Sequence, residues 1–439
     1  MVRRDLIAAA VAGTALAAGV GRLMPAAAQG SRQTAEGVAR GSTRIAGFAS
    51  GELDFQLMRS LGAANFGGGT PGEAFSVRAA IPGDDPYAWP PAMAAMAGRV
   101  LRDARQAKER GHRVSARDHF LRASMYFRAA EYFADPFGPD GLRWGLASRD
   151  AFIAAAQLMT DRIDAVQIPF EGKGLPGYFM TPAAGAERGK TIVILTGFDG
   201  TGEELYFQAA AAALERRYNV LVAEGPGQVG CMRLHPDLKF RPDYEKPIAA
   251  MLDMALARPE VAAERLALYG ISFGGYFVTR AGEHDPRIKA LIVNSPIVDL
   301  FAYMAGFVGP EMTNNPPPVT LADVDSIPDS EFPRTMKLSF KSACRRFGVD
   351  SLAGWLARLK DFNAESRLPA IRCPTLPMIG AGEGAEAMAQ FERYCAKVSG
   401  PVTKRIFTAA EGADMHCQVG NLPLSCAVVF DWLDETFGA

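Results

Sequence analysis

The sequence is short of several features that would point to a function class at once. Its five histidines are scattered over 439 residues, with no H-E-x-x-H and no histidine-cysteine cluster, so neither a metal centre nor any other cofactor is expected. Six cysteines, at positions 231, 344, 373, 395, 417 and 426, form no C-x-x-C pair and are too sparse for a disulfide framework. An excess of charge is missing as well: 47 Lys and Arg against 48 Asp and Glu leave a formal net charge of −1. Such a chain has no long-range attraction for phosphate backbones or anionic lipid, so no nucleic-acid partner is expected. No internal repeat is present, which excludes a solenoid. What remains is an ordinary globular composition, 49% hydrophobic and 22% charged, in a chain long enough for one large domain and an accessory one.

The first residues carry a pattern of their own. Arg3 and Arg4 precede an uncharged, Ala-rich stretch from Leu6 to Gly21, and Ala26-Ala27-Ala28 offers a small-residue cleavage site. The run is too short and too weakly apolar for a spanning helix. The arginine pair followed by Asp5-Leu6-Ile7 resembles a twin-arginine export signal. Residues 1–28 are therefore expected to be a removable signal, leaving a periplasmic or secreted protein with no stable membrane insertion. Its removal takes away three arginines and one aspartate and leaves a net charge of −3. Residues 29–45 are small and polar without periodicity and are expected to be a disordered lead-in.

Residues 46–160 read as helices with almost no strand pattern. An Ala-rich run from Ala92 to Arg110 stops at Gly111, and Ser115 followed by Asp118 suggests the start of the next helix. Phe120, Leu121, Ser124, Phe127 and Ala130 give that helix an apolar or small face. Near Ile163 the period changes. VQIPFEG and LPGYFMTP flank Gly172–Gly174 as a hairpin, and then TIVILT, YNVLVA, LALY, IKALIVN, TLPMI and KRIF alternate with helical segments. Short runs apolar on both faces and separated by helices imply a mostly parallel sheet, placing 161–439 in the α/β class. A largely helical insertion is expected at about residues 300–372.

The strongest motif is GISFGG, Gly270 to Gly275, lying directly after LALY and directly before the helical YFVTRAG. A G-x-S-x-G at a strand-to-helix turn exposes its serine at the strand's carboxyl end, which makes Ser272 a candidate nucleophile. A hydroxyl needs a base. His416, in EGADMHCQ after the last strand, is where the chain order serine, acid, histidine puts it, whereas His112, His119, His235 and His284 lie elsewhere. For the acid that orients the imidazole, Glu383 in IGAGEGAE follows the TLPMI strand; Glu386 is near enough to compete, Asp299 occupies a second suitable position, and Asp414 is so close to His416 that it is expected to shape the turn. An oxyanion would need two backbone N–H donors, expected from Phe273, after the serine, and from Phe198 in the Thr196–Gly200 loop. EGPGQ from Glu224 reads as a rigid structural turn.

Taken together, GHRVSARDHFLRAS from Gly111, GFDGTGEELYF from Gly197, YNVLVAEGPGQ from Tyr218, GISFGGYF and the His416 loop resemble the branch of the α/β hydrolases that holds 2,6-dihydroxypseudooxynicotine hydrolase and the fungal heptaketide-shortening hydrolases. The resemblance implies an α/β-hydrolase fold with an N-terminal helical cap over the site, a triad of Ser272, Glu383 and His416, and cleavage of carbon-carbon bonds next to a ketone. It also implies an auxiliary acid at Glu203 or Glu204. Three features depart from the branch: a glutamate as triad acid, the long insertion and the export signal. Ester, amide and carbon-carbon cleavage share a tetrahedral oxyanion and a protonated leaving group, so the motif does not choose among them. The expectation is a serine hydrolase of a small organic ester or ketone, with a small-molecule substrate as partner and a homodimer left open. An exported peptidase or amidase of the same fold, or a non-catalytic metabolite-binding protein, are the alternatives.

Overall fold

Eight short apolar segments assemble into one sheet because most of them have nothing polar to show on either face. The computed structural model describes residues 40–438, together with the backbone of a small ribbon, β1 (Gln33–Thr34) and β2 (Gly37–Val38). The expected signal at residues 1–28 lies outside the described residues. In the main sheet, β3 (Arg162–Phe170) and β4 (Lys173–Thr181) form an antiparallel hairpin. Its two-residue turn puts Glu171 and Gly172 at φ 47° and 78°, the left-handed pair that matches the twist of a tight hairpin. β5 (Thr191–Leu195), β6 (Asn219–Ala223), β7 (Leu266–Ile271), β8 (Ala290–Asn294), β9 (Thr375–Gly380) and β10 (Arg405–Phe407) follow, all parallel, in the spatial order β10-β9-β8-β7-β5-β6-β4-β3.

Every residue of β5, β6, β7, β8 and β9 is buried. Alternate side chains feed two separate cores, since successive Cβ atoms point to opposite faces. Ile192, Ile194, Val220, Val222 and Tyr269 pack into the first core, which continues into the N-terminal helices; Val193, Leu195, Leu221, Leu268 and Val293 pack into the second.

The N-terminal helices are α1 (Gly51–Gly62), α2 (Pro71–Ala80), α3 (Trp89–Glu109), α4 (Arg113–Tyr132) and α5 (Pro139–Ala156). The expected apolar face of α4 is fully buried. Its start, however, is Arg113 and not Ser115. Gly111, at φ 78°, ends α3 so abruptly that Ala116 already donates to the His112 carbonyl, leaving Ser115 inside the first turn. The lead-in also stops earlier than expected. Buried Asp54 accepts the N–H groups of Ile45, Ala46, Gly47 and Phe48, and Asp414 accepts the Ser42 N–H and hydroxyl and the Thr43 hydroxyl. Two carboxylates thus tie down a segment whose own composition offers no periodicity.

Between and after the parallel strands come α6 (Gly202–Leu205), continued through a π-turn into α7 (Ala211–Glu215), then α8 (Val229–Leu234), α9 (Glu245–Leu256) and α10 (Gly274–His284), with α7 packed into the first core and α9 and α10 into the second. The insertion between β8 and β9 comprises α11 (Leu300–Val308), α12 (Pro310–Asn314), α13 (Arg334–Phe347) and α14 (Leu352–Leu359). α15 (Ala385–Lys397) and α16 (Leu422–Phe437) complete the layers. Among the described residues no helix is long and apolar enough to cross a membrane, and all six cysteines are free thiols.

Candidate active site

β7 ends at Ile271 and α10 begins at Gly274, so the chain must reverse within two residues. Ser272 makes that turn at φ 60°, a conformation that costs a non-glycine residue about 1–3 kcal/mol and persists only where its surroundings impose it. Here the Ser272 N–H donates to the Asn294 carbonyl at 2.5 Å and the Gly275 N–H to the Ser272 carbonyl at 2.8 Å. A Cβ at Gly270 would lie 2.1 Å from the Gly274 carbonyl oxygen, which explains the flanking glycines sterically.

The loop after β10 brings His416 to the serine. Its N–H donates to the Arg40 carbonyl at 2.9 Å, and just beyond it Cys417 and Gln418 sit at φ 56° and 51°. Gln418 is anchored by the Asn294 side-chain amide at 2.8 Å. With the loop so fixed, His416 Nε2 is 2.8 Å from Ser272 Oγ and His416 Nδ1 is 2.6 Å from Glu383 Oε2. Glu383 also accepts from the Ser295 hydroxyl at 2.6 Å and from the Gly380 N–H at 2.9 Å, so this buried carboxylate is well supplied with donors.

The competing acids are engaged elsewhere. Asp299 caps α11 through the Ala302 N–H and accepts from Asn363; Glu386 holds Gln390 and Arg393; Asp414 holds the Ser42–Thr43 segment. Nor do the other histidines reach Ser272: His235 bonds the Gly174 carbonyl, His284 the Arg280 carbonyl, His119 lies against Arg122, and His112 precedes α4. Burial disfavours the imidazolium of His416, but Cys417 and Glu383 beside it favour it, and the balance raises its pKa above the ordinary value.

The Thr196–Gly200 loop lies directly against this turn. A Cβ at Gly197 would be 2.6 Å from the Phe273 nitrogen and 2.7 Å from Ser272 Cβ, so only glycine allows the approach. Among the described residues the N–H groups of Phe198 and Phe273 have no acceptor, leaving both donors available beside the serine. EGPGQ, a rigid turn by its sequence, braces this loop. Gln228 donates to the Thr196 carbonyl at 2.6 Å and accepts the Gly225 N–H at 2.6 Å, pinning the loop. Arg346, from α13, donates to the Phe198 carbonyl and stacks on its ring at 4.4 Å.

Ser272 and His416 open into a cavity of about 260 Å³. Most of its walls come from the insertion, among them Leu300, Phe307, Phe340, Phe347 and Trp355. Its walls also hold a polar group that the sequence did not single out: Arg40, Glu52, Tyr132 and Asp199. Tyr132 donates to Glu52 at 2.6 Å, Arg40 pairs with Glu52 at 3.3 Å and Arg59 with Asp199 at 3.3 Å. Burial opposes the Asp199 charge, yet the guanidiniums of Arg59, Arg40, Arg128 and Arg346 hold its pKa well below the carboxylate range. These residues come from three separate parts of the chain, so no local motif marks them.

The expected auxiliary acid is not at the cavity. Glu203 accepts from the Tyr178 hydroxyl at 2.6 Å and pairs with Arg233 at 3.2 Å, while Glu204 is chelated by Arg59 and bonded to Arg128 at 3.0 Å. Neither lines the serine cavity. Both lie in the first turn of α6, where Glu203 is drawn to β4 and α8 and Glu204 to α1 and α4, and Asp199, before the helix, is the loop's acidic side chain on the cavity wall.

The chain is similar to several known proteins. The model of the prolyl oligopeptidase family matches residues 244–321, the segment that carries the Ser272 turn. The hydrolase LUC6 of a Fusarium species is 32% identical over 414 residues, covering 89% of this chain and 98% of the relative. The α/β hydrolase xenA of Xenoacremonium sinensis is 32% identical, covering 88% and 96%. The crystal structure of 2,6-dihydroxy-pseudo-oxynicotine hydrolase superimposes with a TM-score of 0.68 at 18% identity, covering 86% of this chain and 95% of that one, a likeness of fold. Since the fungal relatives are matched along nearly their whole length, the protein is an enzyme of the α/β-hydrolase family.

Proposed function

We propose that this enzyme is a serine hydrolase that cleaves an ester or a ketone-adjacent carbon-carbon bond of a small, mostly apolar substrate, with Ser272, His416 and Glu383 as its triad. The observation that carries the reading is the unbroken hydrogen-bond relay from Ser272 Oγ through both nitrogens of His416 to Glu383, mounted on a strained turn facing an apolar cavity. Ser272 Oγ attacks the carbonyl carbon as His416 Nε2 takes its proton, and Glu383 holds the Nδ1–H tautomer and stabilises the imidazolium. The Phe198 and Phe273 N–H groups receive the oxyanion. Collapse breaks the bond to the alkoxide or enolate leaving group, which His416 protonates, and water then releases the acyl group as a carboxylic acid by the same steps in reverse.

Ser272→Ala is expected to lower turnover of activated esters by at least about 10⁴-fold and to abolish labelling by a fluorophosphonate probe while leaving the unfolding midpoint unchanged. Labelling that persists in this variant refutes the assignment. A peptidase or amidase reading is favoured by one observation, the prolyl oligopeptidase match at residues 244–321. Turnover of aminoacyl anilides in preference to p-nitrophenyl esters and 1,3-diketones would select it. Export rests on the Arg3-Arg4 pattern; Arg3→Lys with Arg4→Lys is expected to retain the uncleaved precursor inside the cell, as read by fractionation.

A further inference from the structure

A second cavity of about 130 Å³ adjoins the serine cavity, and the two share Tyr132, Phe198, Asp199 and Ser339 as walls. Its chemistry differs from that of its neighbour. Four arginines line it, Arg128, Arg233, Arg345 and Arg346. Two are neutralised: Arg128 by Glu204 at 3.0 Å, and Arg233 by Glu131 and by Glu203 at 3.2 Å. Asp199 pairs with Arg59. Among the described residues Arg345 and Arg346 have no ion-pair partner, and both come from the last turn of α13.

Arg346 is the more telling of the two. It is only 6% exposed, and its sole side-chain hydrogen bond among the described residues is the one from Nη1 to the Phe198 carbonyl. A guanidinium carries five N–H donors in a planar fork suited to a carboxylate, and burying one without a counter-ion is costly. The cost shows in its pKa: burial pushes it down to about 10, although Asp199, Glu131 and Glu224 act in the opposite direction. On the same helix Ser339 and Ser342 line the cavity seven and four residues before Arg346, which sets all three on neighbouring turns of one face. Their hydroxyls make no hydrogen bond to another described residue.

We propose that this second cavity is a carboxylate subsite: the substrate carries a free carboxylate, remote from the scissile bond, that Arg346 binds with the hydroxyls of Ser339 and Ser342. The proposal rests on the serine-hydrolase reading for the bond cleaved and adds the substrate class, an acidic acyl compound with an apolar stem. The stem lies in the serine cavity, and the acid end passes the Phe198–Asp199 wall. Such a carboxylate gives the unused donors of Arg346 a charged partner that neutral analogues lack, so binding discriminates against those analogues.

The test uses mono-p-nitrophenyl esters of straight-chain dicarboxylic acids of six to ten carbons, each compared with the same ester carrying a methyl cap on its free acid. In the wild-type enzyme kcat/KM for the free acid is expected to exceed that for the capped ester by at least about tenfold, for at least one chain length. Arg346→Gln is expected to reduce this ratio to near one, mainly through KM, and Arg346→Lys to restore part of it. A wild-type ratio at or below one at every length overturns the proposal whether or not the variants fold. So does an Arg346→Gln variant in which both esters lose activity equally, since Arg346 then serves only to hold the Phe198 loop. Failure of the underlying reading looks different: neither ester is turned over and Ser272 takes no fluorophosphonate label.

Discussion

At the scale of single residues, the exact donor and acceptor pairs decide which carboxylate does what. Asp299 and Glu383 follow neighbouring strands, and sequence alone left both open as partners of the histidine; only Glu383 has its oxygen 2.6 Å from His416 Nδ1. Glu383→Gln is expected to lower kcat by about 10²- to 10⁴-fold, because an amide can favour the wrong imidazole tautomer. Asp299→Asn, a change in a helix cap, is expected to leave kcat within about threefold. Steady-state kinetics of the two variants with one ester checks both. The pH dependence follows from the raised pKa of His416. A general base works in its neutral form, so activity is lost as pH falls through the folded-state pKa. The acidic limb of kcat/KM is therefore expected above the ordinary histidine value of about 6.5, and Glu383→Gln is expected to move it downward. A wild-type limb at or below 6.5 would contradict the account.

At the scale of elements, turns and loops are held by a few long-range contacts. The strand-to-helix turn tolerates no Cβ at Gly270, where one would meet the Gly274 carbonyl at 2.1 Å. Gly270→Ala should destabilise the fold by about 1–3 kcal/mol, measurable by urea unfolding, and should reduce turnover by moving Ser272. Asp414→Ala should release residues 42–43 and, through the Arg40 carbonyl, loosen the His416 loop. Limited proteolysis read by mass spectrometry is expected to cut between residues 40 and 50 in this variant and not in the wild type. The five central strands were legible in the sequence because apolar runs of five or six residues bounded by turn residues leave little choice, and the hairpin β3–β4 and the short β10 also stand where their runs lie. The start of α4 and the ordering of residues 40–48 were not, since they depend on Gly111 closing α3 and on Asp54 and Asp414 reaching across the chain.

At the scale of the whole molecule, the same contrast separates scaffold from pocket. Ser272, Glu383 and His416 follow strands β7, β9 and β10, so chain order and sheet topology bring them together. The cavity walls, and the approach of Arg346 to Phe198, depend on how an insertion of several helices packs over that sheet, which no local pattern encodes. The six thiols give a global test. Five are buried and none is bonded to another, so reductant is expected to shift the melting temperature by less than about 1 °C, and a thiol reagent should report mainly Cys373 until the protein unfolds. A large loss of stability on reduction would contradict the structure.

The insertion leaves β8 and returns to β9, and these two strands pair directly with each other. The sheet is therefore closed beneath it, and its two ends lie side by side. A segment entering and leaving at adjacent points works like a cartridge. Its length and sequence can change without disturbing strand order, provided that the contact from Arg346 to the Phe198 loop is kept. Chamber and scaffold are thus separable in this architecture, since the pairing of β8 with β9 does not pass through the insertion.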